Sequence, residues 1–185
     1  MPDKILPSAS VASRPDEVMF SPSVRAQQTC RGSREAYARR AASGGFRQSL
    51  SEEAIAFIAQ RDSAYIATAS ADGQPYVQHR GGPRGFLKVL DERTVAFAEY
   101  PGNRQYISAG HLAENEKSFL FLMDYENARR LKLWGRATLA SDPALISRLT
   151  DGDARPVEHA ILFSVLAWDW NCSKHIPRLV QAPAP

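Results

Sequence analysis

Apolar positions change their spacing at Ser63. Upstream, "SLSEEAIAFIAQRD" puts Ile55, Ile58 and Ala59 on one stripe, the spacing of a helix. Ser51 stands at its start as a cap, and Glu52 and Glu53 suit the dipole of its first turn. "SREAYARRAAS" predicts a shorter helix, with Ser33 as N-cap and Gly44-Gly45 as its end. Residues 1 to 24, rich in Pro and Ser, predict a poorly ordered or extended segment. From Ser63 the period is two. "SAYIATA" and "PYVQHR" flank Asp72-Gly73, a strong hairpin signal. "GGPRG" interrupts, and "FLKVL" and "TVAFAE" predict a second hairpin around "DER". "KSFLFLMD" and "RRLKLWGRATLA" follow, joined by "YENA". "SDPALISRL" predicts a short helix capped by Ser141 or Asp142, and "HAILFSVLAWDW" a last strand. About seven strands, mostly linked by tight turns, predict a mainly β fold: an antiparallel barrel with appended helices. The organisation expected is an extended or helical N-terminal arm (1–48), a barrel domain (49–176) and a C-terminal tail (177–185).

Three clusters depart from what folding alone needs. In the long strand, Leu131, Leu133, Ala137 and Leu139 share one face, and Arg130, Lys132, Trp134 and Arg136 the other. Like charges two residues apart repel, so an anionic ligand with an aromatic body would explain them; cations paired with Glu99 or Asp124 would too. In "FAEYPGNRQYISAGHLAEN" a strand breaks at Pro101-Gly102, and Asn103, Arg104 and Gln105 stand where a helix is expected to begin. Unpartnered helix-start N–H groups suit a phosphate, and Arg104 could grip one with two bonds; an ordinary capped helix is the other reading. In "QHRGGPRGF", Gly81-Gly82 allow close approach of a ligand to the backbone, or a bulge. The last strand is apolar on both faces. Ala160, Leu162, Leu166 and Trp168 are expected to point one way, and Ile161, Phe163, Val165 and Ala167 the other. Both faces should then be covered, by a second subunit or by the chain's own helices.

Composition narrows the classes. With 185 residues, 44% apolar, the chain can bury a real core in one domain. No apolar run approaches the roughly 18 residues of a membrane span, and the start has no apolar stretch of a secretory signal. Two cysteines make no disulfide framework, so a reducing cytoplasm is expected. Net charge is +3, with six arginines and one acid between Arg25 and Arg47. Their scatter and the few aromatics favour a solvated face or a subunit-embracing arm over a nucleic-acid arm. Cys172 and His175 are at most half a metal site, and His79, His111 and His159 are dispersed, so no metal centre is expected. Dinucleotide, Walker and nucleophile-elbow motifs are absent.

Together, "RDSAYIATASADGQPYVQHRGGPRGFLKVLD", "FAEYPGNRQYIS", "LAENEKSFLFLMDY", "RRLKLWGRA" and "WDWNC-x-x-HI" resemble the pyridoxamine 5'-phosphate oxidase-like family, in its bacterial flavin-nucleotide-binding branch. The words run from about Arg61 to Ile176. The resemblance implies an FMN-binding split β-barrel, a homodimer with FMN at the subunit interface, and a small-molecule substrate or electron donor. It implies that Asn103, Arg104 and Gln105 hold the FMN phosphate, with Lys88 as a helper. A glutamine here replaces the third, cationic residue of the family's Ser-Arg-Lys. Gln78, His79, Arg80 and Gly81 would line the ring or ribityl chain, beside Phe97, Ala98 and Glu99. Arg130, Trp134 and Arg136 would reach the flavin from the other subunit, and Trp170 and Asn171 would close the pocket. "WDWNCSKHIPRLV" lacks the family's Arg-x-His substrate site, so oxidation of pyridoxamine phosphate itself is not expected.

The leading expectation is an FMN-dependent oxidoreductase of unknown substrate, in which the flavin does the chemistry and the protein orients it. Arg136 is the candidate to stabilise the reduced flavin at its N1–C2 carbonyl edge. No residue stands out as a substrate acid or base. A flavin-binding or sensing module without turnover is therefore an alternative. A heme or other tetrapyrrole-binding split barrel is another, with His79, His111 or His159 as the axial ligand.

Overall fold

A computed structural model describes residues 14–150 and 155–180. Seven strands form one antiparallel sheet: β1 (Ser63–Ala69), β2 (Pro75–Gly81), β3 (Lys88–Asp91), β4 (Thr94–Glu99), β5 (Lys117–Asp124), β6 (Arg129–Ala140) and β7 (His159–Trp170). Their order is β2-β1-β5-β6-β7-β4-β3. Three hairpins make the local pairs, and each turn follows from its residues. Gly73 takes φ +94° between β1 and β2, a conformation that costs glycine nothing. Between β5 and β6, Asp124 accepts the Asn127 N–H at 3.0 Å, and Ala128 adopts a left-handed φ of 51°. β2 and β3 pair on one side only, so the strongly curved sheet is split rather than closed.

The inner face is as the alternation predicts. Ile66, Leu120, Leu122, Leu131, Leu133, Ile161 and Phe163 are fully buried in one cluster. Helix α4 (Glu52–Ala59) caps it with Ala54, Phe57 and Ile58, and Ser51 Oγ accepts the Ala54 N–H at 3.2 Å as expected of an N-cap.

Strand β7 departs from simple alternation. Trp134 pairs with Ala167, whereas Gly135 pairs with Val165, so β7 carries one extra residue, Leu166. This bulge reverses the facing beyond it. Trp168 therefore joins Ile161, Phe163 and Val165 in the main core instead of opposing them, and its Nε1 donates to the Ser49 carbonyl at 2.9 Å. Gly135 makes the bulge possible: a Cβ there would lie 2.3 Å from the Ser164 carbonyl oxygen and 2.6 Å from the Phe163 ring. On the opposite face, Ala160 and Leu162 are covered by Leu145, Ile146 and Leu149 of α6 (Pro143–Thr150), the chain's own helix. Asp142 caps α6 by accepting the Ala144 and Leu145 N–H groups.

Residues 15 to 24 differ from the poorly ordered or extended segment expected for residues 1 to 24. Residues 1–13 lie outside the described residues. From Pro15 the chain is helical: α1 (Pro15–Met19), α2 (Pro22–Cys30) and α3 (Arg34–Ala42). The prolines that suggested extension sit at first helical positions, where no N–H is needed and φ is already suitable. Ser21 Oγ also accepts the Val24 N–H at 3.3 Å. Ser33 is the N-cap of α3, though its side chain makes no capping bond. Phe20, Tyr37 and Phe46 cluster at centroid distances of 5.4–6.5 Å, and Arg40 reaches Asp169 of β7 at 2.6 Å.

Gly135→Ala should destabilise the fold by about 2 kcal/mol or more, the order expected for overpacking against backbone. Urea denaturation measures this, and a loss within experimental scatter would show that β7 shifts without cost.

Candidate functional site

Alternation in β2 sends Tyr76, Gln78 and Arg80 to one side and exposes Val77 and His79 on the other. Tyr76, Gln78 and Arg80 form one wall of a cavity of about 250 Å³. Glu99 and Tyr100 at the end of β4, the loop Gly102–Tyr106, and Ile107 to Ala109 complete it. A larger cavity, about 560 Å³, lies beside it under the Gly81–Phe86 loop, with Phe97, Ala98 and the end of α6 as its other walls. Arg80, Glu99 and Tyr100 line both cavities and so form the partition between them.

Two members of the partition, Arg80 and Glu99, belong to an ionic chain that His159 completes from behind. Arg80 Nη2 lies 2.5 Å from Glu99 Oε1, and His159 Nε2 lies 2.9 Å from Glu99 Oε2. The three side chains are only 13–15% exposed. Backbone pairing of Glu99 with His159, and the Glu158 N–H donated to the Glu99 carbonyl at 2.9 Å, fix the carboxylate's root. Burial pushes the Glu99 carboxyl up, but the His159 hydrogen bond and the Arg80 charge outweigh it and hold it below the ordinary glutamate value. Arg80 Nε is buried and has no partner, alone in this among the side-chain nitrogens and oxygens of the described residues. An unmatched buried donor is costly.

The helix start expected at Asn103 lies four residues before the first helical residue. Helix α5 spans Ile107–Glu114, with Tyr106 as a left-handed N-cap. Asn103, Arg104 and Gln105 belong to the preceding loop. Asn103 Oδ1 accepts the Gln105 N–H at 3.2 Å, a local turn that competes with helix. Arg104 and Tyr106 have φ of 60° and 53°, strained for side-chain-bearing residues. Arg104 Nε contacts Tyr106 Oη at 3.4 Å, which donates to Glu158 at 3.0 Å. Gln78 accepts from Ser108 Oγ at 2.8 Å.

Gln78, Arg80, Glu99, Asn103, Arg104 and Gln105 thus meet at the smaller cavity, and His79, Arg80, Gly81, Phe97, Ala98 and Glu99 at the larger. His79 stands at a rim, with its ring edge-on to Tyr65 at 5.5 Å on the sheet's outer face. Lys88 lies on β3 opposite Ala96 and lines neither cavity. The β6 residues are elsewhere in this protomer. Trp134 and Arg136 line a separate cavity of about 410 Å³ with Glu17 and Val18 of α1, Lys117 and Leu166. Arg130 Nε donates to the Cys172 carbonyl at 3.1 Å. Trp170 packs against Phe57 at 5.0 Å under Arg129, and Asn171 donates its N–H to the Arg130 carbonyl. The β6 cations do not pair with Glu99 or Asp124. Lys132 faces Asp169 at 3.9 Å and Arg136 faces Glu116 at 3.7 Å, while Asp124 is taken by Arg61 at 3.2 Å.

Tyr76, Tyr100, Tyr106, Ser108, Glu158 and Arg155 also line the cavities, without having been singled out in the sequence. Tyr76 shares the period of Gln78 and Arg80 and was legible there. His159 was noted as a dispersed histidine and a candidate axial ligand, not as a partner of Glu99, and the strand register that brings it to Glu99 leaves no local signal. His111 is engaged through Nδ1 with Thr68 Oγ1 at 3.1 Å. Among the described residues no group of three or more His, Cys, Asp or Glu could hold a metal ion, and no helix is long and apolar enough to cross a membrane.

Residues 50–169 match the sequence profile named pyridoxamine 5'-phosphate oxidase. The chain belongs to the pyridoxamine 5'-phosphate oxidase family. Solved structures of similar fold fit this membership. HupZ of Group A Streptococcus is 18% identical, with a TM-score of 0.53 over 66% of this chain and 99% of its own. An FMN-binding protein of Syntrophomonas wolfei is 15% identical, with a TM-score of 0.51 over 64% and 84%. Protein Rv2991 of Mycobacterium tuberculosis is 14% identical, with a TM-score of 0.51 over 73% and 94%. No curated protein sequence matches the chain. The pyridoxamine 5'-phosphate oxidase family match covers β1 to β7 almost entirely, including every residue of the ionic partition.

Because the Glu99 pKa is lowered on folding, its ionised form adds stability that is complete above the ordinary glutamate value of about 4.3 and is lost as pH falls through the lower folded value. Glu99→Gln should therefore flatten the acid limb of stability against pH. Urea titrations across that limb test it, and equal slopes for the two proteins would show that Glu99 gains nothing from ionisation in the fold.

Proposed function

We propose that this chain is an FMN-binding member of its family, acting as an oxidoreductase on a small substrate, and working as a homodimer in the cytoplasm. The observation that carries the reading is Arg80 Nε, a buried donor without an acceptor in the partition between two cavities. A ring-edge carbonyl or nitrogen of a flavin is an acceptor of the right kind, provided that the guanidinium, whose side chain lines both cavities, turns to meet it. The donor set around it also fits. Asn103, Arg104 and Gln105 present amides and a cation to the smaller cavity, which suits a phosphate dianion. Gly81, Phe97 and Ala98 give the larger cavity a small, apolar wall, which suits a planar ring.

Bound there, FMN would supply two-electron chemistry at its ring. The residues' own tasks are binding and orientation. Arg104 neutralises the phosphate, Gln78 supplies a polar contact midway, and Arg80 fixes the ring edge. Lys88 is the more distant helper. Arg130, Trp134 and Arg136 are assigned to the partner's flavin, and Trp170 and Asn171 to closing the pocket. The supporting feature is an outer sheet face rich in rings: Tyr65, Phe119, Phe121 and Trp134, beside Val77, which is 59% exposed. Such a face suits a second copy of the chain.

A second reading is favoured by the engagement of Glu99 with Arg80 and of His159 with Glu99. Neither is free to serve a substrate as acid or base. A flavin-holding or sensing module without turnover would need no such group. Oxidation of NADH or NADPH by the flavin-loaded protein would reject this reading.

Arg104→Ala should weaken FMN binding by about tenfold or more, the scale of a charged hydrogen bond, while leaving riboflavin, which lacks the phosphate, nearly unaffected. Fluorescence titration of the full chain measures both. No spectral change on adding FMN to the unaltered protein would overturn the cofactor.

A further inference from the structure

The smaller cavity is not uniformly basic. Among the described residues, four charged side chains line it: Arg80, Glu99, Arg104 and Glu158. Arg80 and Glu99 face each other at 2.5 Å. That leaves Arg104, on the loop after β4, and Glu158, one residue before β7. Tyr106 links the two. Arg104 Nε donates to Tyr106 Oη at 3.4 Å, and the same hydroxyl donates to Glu158 Oε1 at 3.0 Å. A phenol can do both at once, with a lone pair toward one neighbour and its proton toward the other. The bond to Tyr106 and, after it, the Glu158 charge hold the Arg104 guanidinium above the ordinary arginine value. Glu158 cannot withdraw far from the cavity, because its own N–H is donated to the Glu99 carbonyl at 2.9 Å. Arg104 and Tyr106 are also the two residues of this loop held in the left-handed region, a cost that their contacts help to offset.

We propose that Glu158 is the cavity's own counter-anion: it holds the Arg104 charge through Tyr106, and an anionic group of a ligand has to compete with it for that charge. Naming the group as the FMN phosphate rests on the function proposed above; the link from Arg104 through Tyr106 to Glu158 does not. Competition makes Glu158 a specificity-determining residue. Its repulsion grows with the charge of the ligand, so it weighs most on a phosphate dianion and least on a neutral hydroxyl chain. All three side chains of the link reach water, so the effect is graded rather than absolute. Such a site holds a phosphate less tightly than Arg104 alone would, and releases it more readily.

Two full-length proteins test this, unaltered and Glu158→Gln. Glutamine keeps an oxygen for the Tyr106 hydroxyl and removes only the charge. FMN and riboflavin are titrated into each and followed by fluorescence. Glu158→Gln should bind FMN about three- to fivefold more tightly, the scale of an exposed charge pair. Riboflavin, which has no phosphate, should bind both proteins alike, and the gain for FMN should fade as salt is raised. Equal FMN affinity in the two proteins would overturn the proposal. An equal gain for FMN and riboflavin would also overturn it, because Glu158 would then act on the ring or on the fold as a whole. If neither protein binds FMN, the flavin reading fails and inorganic phosphate becomes the probe. Its binding is followed through the ¹H–¹⁵N signal of Arg104 Nε–H, assigned by its loss in Arg104→Lys. A shift at lower phosphate concentration in Glu158→Gln would uphold the role of Glu158 without any flavin. The same response in both proteins, or none in either, would overturn it.

Discussion

The ionic chain Arg80–Glu99–His159 joins strands that the sheet keeps apart. In the order β2-β1-β5-β6-β7-β4-β3, four strands separate β2 from β4. No backbone ladder links them among the described residues, yet Arg80 of β2 meets Glu99 of β4 directly. A split barrel has to hold its two edges together without strand pairing. This chain does so with buried charge. The cost of desolvating an arginine and a glutamate is offset only when both are well partnered. Here the partnership is incomplete by one donor, and the shortfall falls at the boundary of two cavities. Closure of the fold and the chemistry of the site therefore depend on the same three side chains.

Glycine and one extra residue decide what the long strands can bury. Gly135 lets β7 approach β6 until no side chain would fit, and the bulge at Leu166 then redirects Trp168 inward. The main core thus receives an indole that binds the Ser49 carbonyl and ties the linker before α4 to the barrel. Leu166 is left on the outer face beside Trp134 and Arg136, where α1 leans over it. The arm is anchored by an aromatic trio and by Arg40 on Asp169, the same carboxylate that faces Lys132. Burial lowers the Lys132 ammonium below the usual lysine value, against the pull of Asp169. The basic face of β6 is thus partly neutralised by the chain's own acids.

Much of the fold was legible because short-range physics dictates it. Strict alternation in β1 and β6, the Asp72-Gly73 turn, the Ser51 and Asp142 caps and the Pro143 start all act within a few residues, and each stands where the pattern predicts it. Where two local signals competed, the reading was less secure. Prolines in residues 15 to 24 mark helix starts, and the Asn103 side chain folds the chain into a turn before α5 can begin. Words such as "QHRGGPRGF" and "YPGNRQYIS" also carried the family, and with it the clusters that line both cavities.

The sequence by itself determined the strand count, the hairpins, the apolar face of each strand and the residue types gathered for an anionic ligand. Those properties rest on periods of two and 3.6 and on turn chemistry, all local. Tertiary structure decided which distant residues meet. The pairing of Glu99 with His159 depends on the register of β4 against β7, and the meeting of Arg80 with Glu99 depends on the curvature of the whole sheet. Neither leaves a trace in neighbouring residues. A buried donor without a partner, such as Arg80 Nε, is a property of the closed packing alone, because in the extended chain the same atom is bonded to water.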